Sequence, residues 1–209
     1  MSTVTRPSPA TRLSRIETQE ANRRALLDAT REVVAVGGAA IRLEVVAERA
    51  GLTTGAIYSI FGSKSDLLVA LLADELSRVD EAAPFEADPS LTLAEVIIRY
   101  VEAWQAAYAG PSKGTTAFEL QVFLSALEDE RLLAQLREAL DADLQRLVGL
   151  LVDRVVDPAS SHRTTLAEAT AVATAIKAVL TGFGLRRPVT GDTDALARDA
   201  CVALAGLVG

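Results

Sequence analysis

Apolar residues recur every three or four positions along most of this chain, which is the spacing of one face of an α-helix. The longest run predicts a helix ended by Asp157 and Pro158, and its apolar positions are Leu132, Leu133, Leu136, Leu140, Leu144, Leu147, Leu151 and Val155. The same spacing predicts short helices over about 43–50 and 54–60. The whole pattern indicates an all-α protein of about nine helices with no convincing strand.

Polar residues mark where these helices begin. A Ser or Thr followed three residues later by an acidic residue is typical of a helix N-terminus. The chain offers the pairs Ser14–Glu17, Ser63–Asp66, Thr92–Glu95 and Thr165–Glu168. The helix capped by Thr165 is expected to end near Leu185, followed by a turn over 188–193, because Pro188 lies in that stretch.

The composition is typical of a helical protein that stays in the cytoplasm. Hydrophobic residues make up 50% of the 209 positions and aromatic residues 4%, which is enough for a core but unlike a typical sheet protein. We find neither an apolar run that predicts a membrane span nor a secretory signal. Cys201 and His162 are single, so we expect no internal disulfide, metal site or cofactor.

Charge is distributed unevenly along the chain. The net charge is −7, yet residues 1–66 carry a balance of +2 and the remainder a balance of −9. This asymmetry favours contact of the N-terminal part with DNA, and a chance fluctuation of surface charge is the alternative. We hypothesise that Arg6, Arg12 and Arg15 form a basic arm, disordered over residues 1–13, that adds nonspecific or minor-groove affinity.

Residues 46–57 carry the pattern of two short helices joined by a tight turn. Such a pair needs a small residue where the helices touch, which Ala47 supplies, and a turn residue that tolerates a left-handed backbone, which Gly51 supplies. The inward-facing apolar positions are Val46, Ala50, Leu52 and Ile57. The exposed positions of the second helix are Thr53, Thr54, Ala56 and Ser59. These small side chains would let the helix enter a major groove, and a generic helical hairpin is the alternative.

A wider stretch, about residues 20–70, resembles the TetR family of transcriptional regulators. The resemblance rests on Arg23-x-x-Leu26-Leu27-Asp28-Ala29 and on the segment from Val46 to Leu68, which includes Ala50-Gly51-Leu52-Thr53-Thr54-Gly55-Ala56-Ile57-Tyr58-Ser59-Ile60-Phe61-Gly62-Ser63-Lys64. It implies a three-helix helix-turn-helix domain over 14–66 and a helical bundle over 67–209 that binds an effector and forms a homodimer. The expected function is regulation from a palindromic operator in double-stranded DNA, commonly repression that a small molecule relieves, and activation stays open.

The resemblance also implies individual DNA contacts. Base-edge and backbone contacts are expected at the start of the recognition helix, which spans about 53–60, from Thr53, Thr54, Gly55 and Ala56, with Ser59 on the same exposed face. Tyr58 is similar to the family tyrosine whose hydroxyl contacts a phosphate, and Lys64 to the lysine that contacts another. Packing at Tyr58 and a solvated charge at Lys64 are the alternatives.

Three further positions bear on this assignment. Phe61 is expected to wedge the third helix against the first. Arg42 stands where the family usually has a capping Ser or Thr, so the cap is lost while a stronger phosphate contact is gained. Ile60 stands where His or Tyr is common, so one polar contact is expected to be missing.

Aromatic residues gather on two successive helices in the second half of the predicted fold. They are Tyr100, Trp104, Tyr108, Phe118 and Phe123, and we interpret them as walls of an effector pocket, with ordinary core packing as the alternative. Because no buried acid–base pair is evident, an apolar or weakly polar effector is expected.

Small residues recur on the last two helices, which lets helix axes approach closely. They include Ala169, Ala171, Ala173, Ala175, Ala178, Gly182, Gly184, Ala195, Ala197, Ala200, Ala203 and Ala205. This pattern favours a four-helix dimer interface, and internal packing is the alternative.

Two other classes of protein were weighed. A helical enzyme has little support, because His162 beside Ser160 and Ser161 has no nucleophile elbow or phosphate loop to work with. An architectural DNA-binding protein without an effector should be basic overall, and this chain is acidic.

Overall fold

A computed structural model describes residues 15–38, 40–81, 88–107, 112–157, 159, 161–191 and 194–207. Within these ranges the chain forms nine α-helices, a short hairpin and a final 3-10 turn at Leu204–Leu207. The helices are α1 Arg15–Gly37, α2 Leu43–Arg49, α3 Thr54–Phe61, α4 Lys64–Glu81, α5 Leu93–Ala107, α6 Ser112–Glu128, α7 Glu130–Leu151, α8 Leu166–Thr190 and α9 Asp194–Ala203. The predicted all-α class is therefore confirmed, while the proposed arm over residues 1–13 and Ser14 lie outside the described residues.

Capping pairs fix the starts of α5 and α8 as predicted. The Thr165 hydroxyl accepts a hydrogen bond from the backbone N–H of Glu168 at 3.3 Å, and the Glu168 carboxylate accepts one from the backbone N–H of Thr165 at 2.8 Å. Thr92 and Glu95 make the same reciprocal pair. Each pair satisfies N–H groups that the first turn of a helix otherwise leaves without a partner.

The segment after α7 differs from the prediction, because α7 ends at Leu151 rather than at Asp157. Residues Val155–Asp157 form strand β1, which pairs antiparallel with β2 at His162–Arg163. The buried Arg154 explains the change: its guanidinium donates to the carbonyls of Leu150 and Asp88, which fixes the chain outside the helical path. The expectation of no strand is therefore wrong for this short hairpin.

The second difference is that α8 continues through Pro188 to Thr190, where a turn was expected. A proline inside a helix removes one backbone hydrogen bond and costs about 3 kcal/mol. Pro188 has no N–H to donate to the carbonyl of Gly184, so other contacts hold this last turn. The carbonyl of Arg187 accepts from the N–H of Gly191 at 3.0 Å, and the Arg187 guanidinium lies 3.5 Å from the Asp194 carboxylate.

Two hydrophobic clusters form the core, and α4 contributes to both. The N-terminal cluster joins α1 to α4 with one face of α6 and the start of α7, and its most buried members are Leu26, Val46, Ile57, Leu67, Leu71 and Phe118. The C-terminal cluster joins the end of α4 with α5, the rest of α7, α8 and α9. The expected domain boundary between residues 66 and 67 lies within α4, so a continuous helix and a shared core connect the two parts.

Candidate nucleic-acid interface and cavity

The α2–α3 pair is built around a left-handed turn at Gly51, whose φ is +67°. At this φ a side chain would be strained, which is why the turn takes glycine. The N–H of Leu52 donates to the carbonyl of Ala47 at 2.9 Å, which closes the turn. Ala47 and Ile57 are buried where the two helices meet. The local sequence therefore determines the angle at which α3 leaves the body.

The outer face of α3 consists of short polar side chains and one tyrosine. Gly55 and Ser59 are exposed, Thr54 and Ala56 are half-buried, and Tyr58 is 55% exposed although it is a large aromatic residue. Thr53 is the N-cap, and its hydroxyl accepts from the N–H of Ala56 at 3.2 Å. Because a hydroxyl that accepts still has a proton to donate, Thr53 keeps a donor for a partner.

Lys64 ties the start of α4 to the start of α2. Its ammonium donates to the carbonyl of Ile41 at 2.7 Å, and the side chain is half-buried. An ammonium carries three N–H donors, so this contact leaves the group able to donate elsewhere. Lys64 therefore has a contact within the fold, and its phosphate contact stays a prediction.

Two arginines flank the same surface in different states. Arg42 is the N-cap of α2 and makes no side-chain cap; its side chain is 78% exposed, with the guanidinium 3.9 Å from Glu44. Arg23 of α1 instead lies over the ring of Phe61, 4.9 Å from its centroid. Phe61 thus packs α3 against α1, as predicted.

A cavity of about 430 Å³ lies behind these helices. Its wall includes side chains from α1, α4, α5, α6, α7 and α8, among them Leu72, Leu76, Trp104, Phe123, Leu144 and Leu180. Most ligand sites are concave, mainly apolar and of this size. The cavity can therefore hold a small organic molecule.

Of the five aromatic residues expected to line a pocket, Trp104 and Phe123 do line this cavity. Tyr100 is fully buried in the C-terminal cluster and Phe118 in the N-terminal cluster, so both are core rather than wall. The difference has a geometric cause, since five residues along a helix turn a side chain by about 140° and place Phe118 and Phe123 on different faces. Tyr108 lies outside the described residues.

The cavity wall carries a buried ion pair, which corrects the expectation that no such pair exists. The Lys177 ammonium lies 2.5 Å from the carboxylate of Asp143, which is only 4% exposed. Lys177 also donates to the hydroxyl of Tyr100. The sequence could have predicted the acidic member of this pair, because Asp143 occupies an inward position of the long leucine run between Leu140 and Leu147.

Glu119 of α6 is the least satisfied charged group of the wall. It forms no hydrogen bond or ion pair with the described residues. Burial, and then the nearby Glu75 carboxylate, raise the pKa of Glu119 from its ordinary value to about 7. Both the protonated and the ionised form are therefore accessible near neutral pH.

Ion pairs connect the cavity to α1 and α4. Arg31 of α1 lines the cavity and donates to Asp74 and Glu75 of α4. Further along, Arg131 of α7 donates to Asp66 in the first turn of α4. Burial alone would raise the pKa of Asp66, but the hydrogen bonds from Arg131 and Ser63 hold it below its ordinary range. A shift of the cavity wall would therefore reach both ends of the α1–α4 unit.

The outer face of α8 bears a straight stripe of small and apolar residues. These are Ala171, Ala178, Gly182, Leu185 and Val189, all exposed, with Val189 at 89%. Leu196 of α9 is 61% exposed. Other small residues of the same helices, such as Ala173 and Ala197, are buried in the C-terminal cluster, so internal packing accounts for these, and the dimer interface stays a prediction for the exposed ones. By length and composition α8 is the one described helix that could cross a membrane, and 28% of its most apolar window is buried.

Sequence similarity to known proteins lies in the N-terminal part of the chain. A family model described as "Bacterial regulatory proteins, tetR family" matches residues 26–71. The HTH-type transcriptional repressor KstR of Mycobacterium tuberculosis is 42% identical over 65 residues, and KstR of Rhodococcus jostii is 43% identical over 63 residues. These matches cover 31% and 30% of this chain and 30% of each relative's length.

Solved structures extend the similarity over most of the fold. A TetR transcriptional regulator from Rhodococcus sp. RHA1 has a TM-score of 0.63 at 18% identity, covering 92% of this chain and 97% of that one. The fatty acid degradation regulator FadR from Bacillus halodurans has a TM-score of 0.63 at 19% identity, covering 88% and 95%. The multidrug binding protein EbrR, complexed with imidazole, has a TM-score of 0.56 at 25% identity, covering 88% and 94%. The first two likenesses show a shared fold.

Proposed function

Because the chain belongs to the TetR family of bacterial regulatory proteins, we propose that it is a cytoplasmic, non-enzymatic transcriptional repressor. It binds a palindromic operator as a homodimer and leaves it when a small molecule occupies the cavity. The observation that carries this proposal is the outer face of α3, where Thr54, Gly55 and Ser59 leave a narrow helix surface beside the exposed Tyr58. A surface of this kind fits a major groove.

Each DNA contact follows from the position of its side chain. Thr54 and Ser59 offer hydroxyls to base edges, and Gly55 allows the helix to approach closely. Tyr58, Lys64 and Arg42 flank this surface and are assigned to phosphates, which fix orientation without selecting sequence. Thr53 and Ala56 are assigned to backbone contacts at the start of the helix.

The dimer is assigned to α8 and α9. An exposed stripe of small and apolar residues on a helix is best covered by another helix, and two copies of α8 and α9 would form a four-helix interface. The dimer would place two copies of α3 in successive major grooves, about 34 Å apart. Gly182→Arg, in the middle of the stripe, should give monomers in sedimentation experiments, whereas Arg186→Lys, an exposed position with no charge change, should leave the dimer intact.

The effector site is assigned to the cavity. Its wall includes Arg31 and Ala35 of α1, so an occupant contacts the N-terminal unit directly. Gly114 of α6 strengthens this connection, because a Cβ there would lie 2.5 Å from the carbonyl oxygen of Val34. A ligand that moves α6 must therefore move α1, and coupling between two such sites is typically worth about 1–3 kcal/mol. On this basis residues 14–66 form the DNA-binding unit and 67–209 the effector and dimer unit.

The experiment that tests the proposal is selection of fragments bound by the full chain from genomic DNA, at low salt. We expect fragments with two inverted half-sites whose centres are about 10 base pairs apart. Retention of fragments without any repeated half-site, or of none, would contradict the proposal. Removing residues 1–13 tests the basic arm in the same assay, and an unchanged affinity and salt dependence would exclude a role for it.

A further inference from the structure

The cavity wall holds four basic and four acidic side chains, and two of the acids have no ion-pair partner among the described residues. Each of the four basic side chains lies within ion-pair distance of an acid, the pairs being Arg31 with Asp74 and Glu75, Arg78 with Glu75, Lys177 with Asp143, and Arg187 with Asp194. Glu119 and Asp141 have no such partner among the described residues. The charged groups of the wall that remain available to an occupant are therefore acidic.

The position of Glu119 suits contact with a ligand better than a role in holding helices together. Asp141 is exposed, whereas Glu119 is half-buried and lines the cavity on the same helix as Phe123. Partial burial of a carboxylate without a hydrogen-bond partner carries a solvation cost. A positively charged group in the cavity would remove that cost, because it would pair with Glu119 and offset the repulsion from Glu75.

The rest of the wall suits an apolar body. Trp104 and Phe123 present aromatic surface, and Leu72, Leu76 and Leu144 complete an apolar lining. Aromatic rings also attract organic cations through their electron-rich faces. Gly184 allows α8 to lie against the Trp104 indole, since a Cβ there would be 3.4 Å from it.

We propose that the cavity takes an amphipathic organic cation, with its positive group beside Glu119 and its apolar body against Trp104 and Phe123. This inference rests on the proposed effector function of the same cavity. It revises the ligand class expected from the sequence, which was apolar or weakly polar. An anion would face two carboxylates without partners, while every basic group of the wall is already paired.

Binding of such a cation should depend on pH through Glu119. The other charged groups of the wall are Arg31, Glu75, Arg78, Asp141, Asp143, Lys177 and Arg187. With the pKa of Glu119 at about 7, the ionised fraction rises about tenfold between pH 6 and pH 8. The affinity for a permanently charged cation should rise by a similar factor.

Trp104 supplies a specific readout, because it is the only tryptophan of the 209 residues and it lines the cavity. The test is a fluorescence titration of the full chain, without DNA, using decyltrimethylammonium, decane-1-sulfonate and decanol. These probes share one flexible chain and differ in head-group charge. Glu119→Gln removes the charge at nearly constant shape, and Glu128→Gln, exposed at the end of the same helix, is the matched control.

We expect saturable quenching by the cation at least about tenfold tighter than by the anion or the alcohol at pH 8. Glu119→Gln should abolish this preference and its pH dependence, while Glu128→Gln should keep both. Equal binding of the three probes, or an unchanged preference in Glu119→Gln, would overturn the inference and leave the effector function standing. No binding of any probe would overturn both, and operator binding would still be tested separately by fragment selection.

Discussion

The outer face of α3 and the cavity differ in how their residues are brought together. The α3 face is made by residues within one short segment, Thr53 to Ser59, and its side chains are mostly exposed. The cavity is made by six helices from Arg31 to Arg187, and three of its four basic side chains pair with acids of other helices. The α3 face is local and open, and the cavity is concave and assembled from distant parts of the chain.

Function can therefore change at the α3 face with little loss of stability, and less readily at the cavity. Substitutions on the α3 face should alter DNA binding and leave the free energy of unfolding nearly unchanged, since exposed side chains contribute little to it. Substitutions at the cavity should alter both, because its charged groups also hold helices together. The following predictions test this contrast.

The largest expected effect is at the buried ion pair. Asp143→Asn removes the charge that faces the Lys177 ammonium, and breaking a buried pair from one side is strongly destabilising. We expect the free energy of unfolding to fall by about 3 kcal/mol in urea denaturation at fixed protein concentration. Glu138→Gln, exposed on the same helix, should change it by less than about 0.5 kcal/mol. Equal losses in the two variants would contradict the assigned role of the pair.

The next effect concerns Glu119 and pH. In the folded chain the pKa of Glu119 is raised to about 7, whereas in the unfolded chain it is ordinary, so the folded state retains the proton longer. Stability is therefore lost as pH rises from the ordinary carboxyl pKa through 7. Glu119→Gln should avoid this loss and gain about 2 kcal/mol relative to the native chain between pH 5 and pH 8. Thermal unfolding at both pH values checks this, and a constant difference would exclude the shifted pKa.

A smaller and mixed effect is expected at Lys64, which belongs to both regions. Lys64→Ala removes the hydrogen bond to Ile41, so the unfolding free energy should fall by about 1.5 kcal/mol. If Lys64 also contacts a phosphate, the slope of the logarithm of the operator-binding constant against the logarithm of salt concentration should become about one unit less steep. Anisotropy titrations over a range of salt concentrations separate the two roles. An unchanged salt dependence would leave Lys64 with its structural contact alone.

The smallest effects on energy are expected at α3 itself. Tyr58→Phe should weaken binding to all DNA sequences alike by about 1 kcal/mol, because a phosphate contact carries no sequence information. Thr54→Ala should change the preferred base by a similar amount. Neither variant should shift the unfolding midpoint. If Tyr58→Phe alters the base preference, or if Thr54→Ala leaves it unchanged, the role assigned to that residue is wrong.

The fold around α3 could be predicted from the sequence because its determinants are local. The turn needs a residue with positive φ at Gly51, and the capping hydroxyl of Thr53 lies three residues before the N–H that it accepts from. Such short-range requirements leave a pattern in the sequence. The contact of Lys64 with Ile41 could not be predicted in the same way, since it joins residues 23 positions apart.

The cavity could be predicted only in part, because it depends on distant contacts. The aromatic residues of α5 and α6 indicated a pocket. The rotation of each helix about its axis determines that Trp104 and Phe123 line the cavity while Tyr100 and Phe118 lie in the core. Glu119 has no hydrogen-bond or ion-pair partner among the described residues because of how several helices pack, and no sequence pattern encodes that packing. The observed ends of α7 and α8 differ from the predicted ends for a similar reason, since the side chains of Arg154 and Arg187 each contact residues outside these helices.

In the proposed complex, two copies of the α3 outer face contact successive major grooves. Hydroxyl-radical and methylation footprinting of a selected operator fragment, with the stoichiometry measured by sedimentation, distinguishes this arrangement from others. We predict two chains per fragment and two protected major-groove patches about one helical turn apart, both weakened by Thr54→Ala. A single protected patch, or protection that Thr54→Ala leaves unchanged, would contradict it.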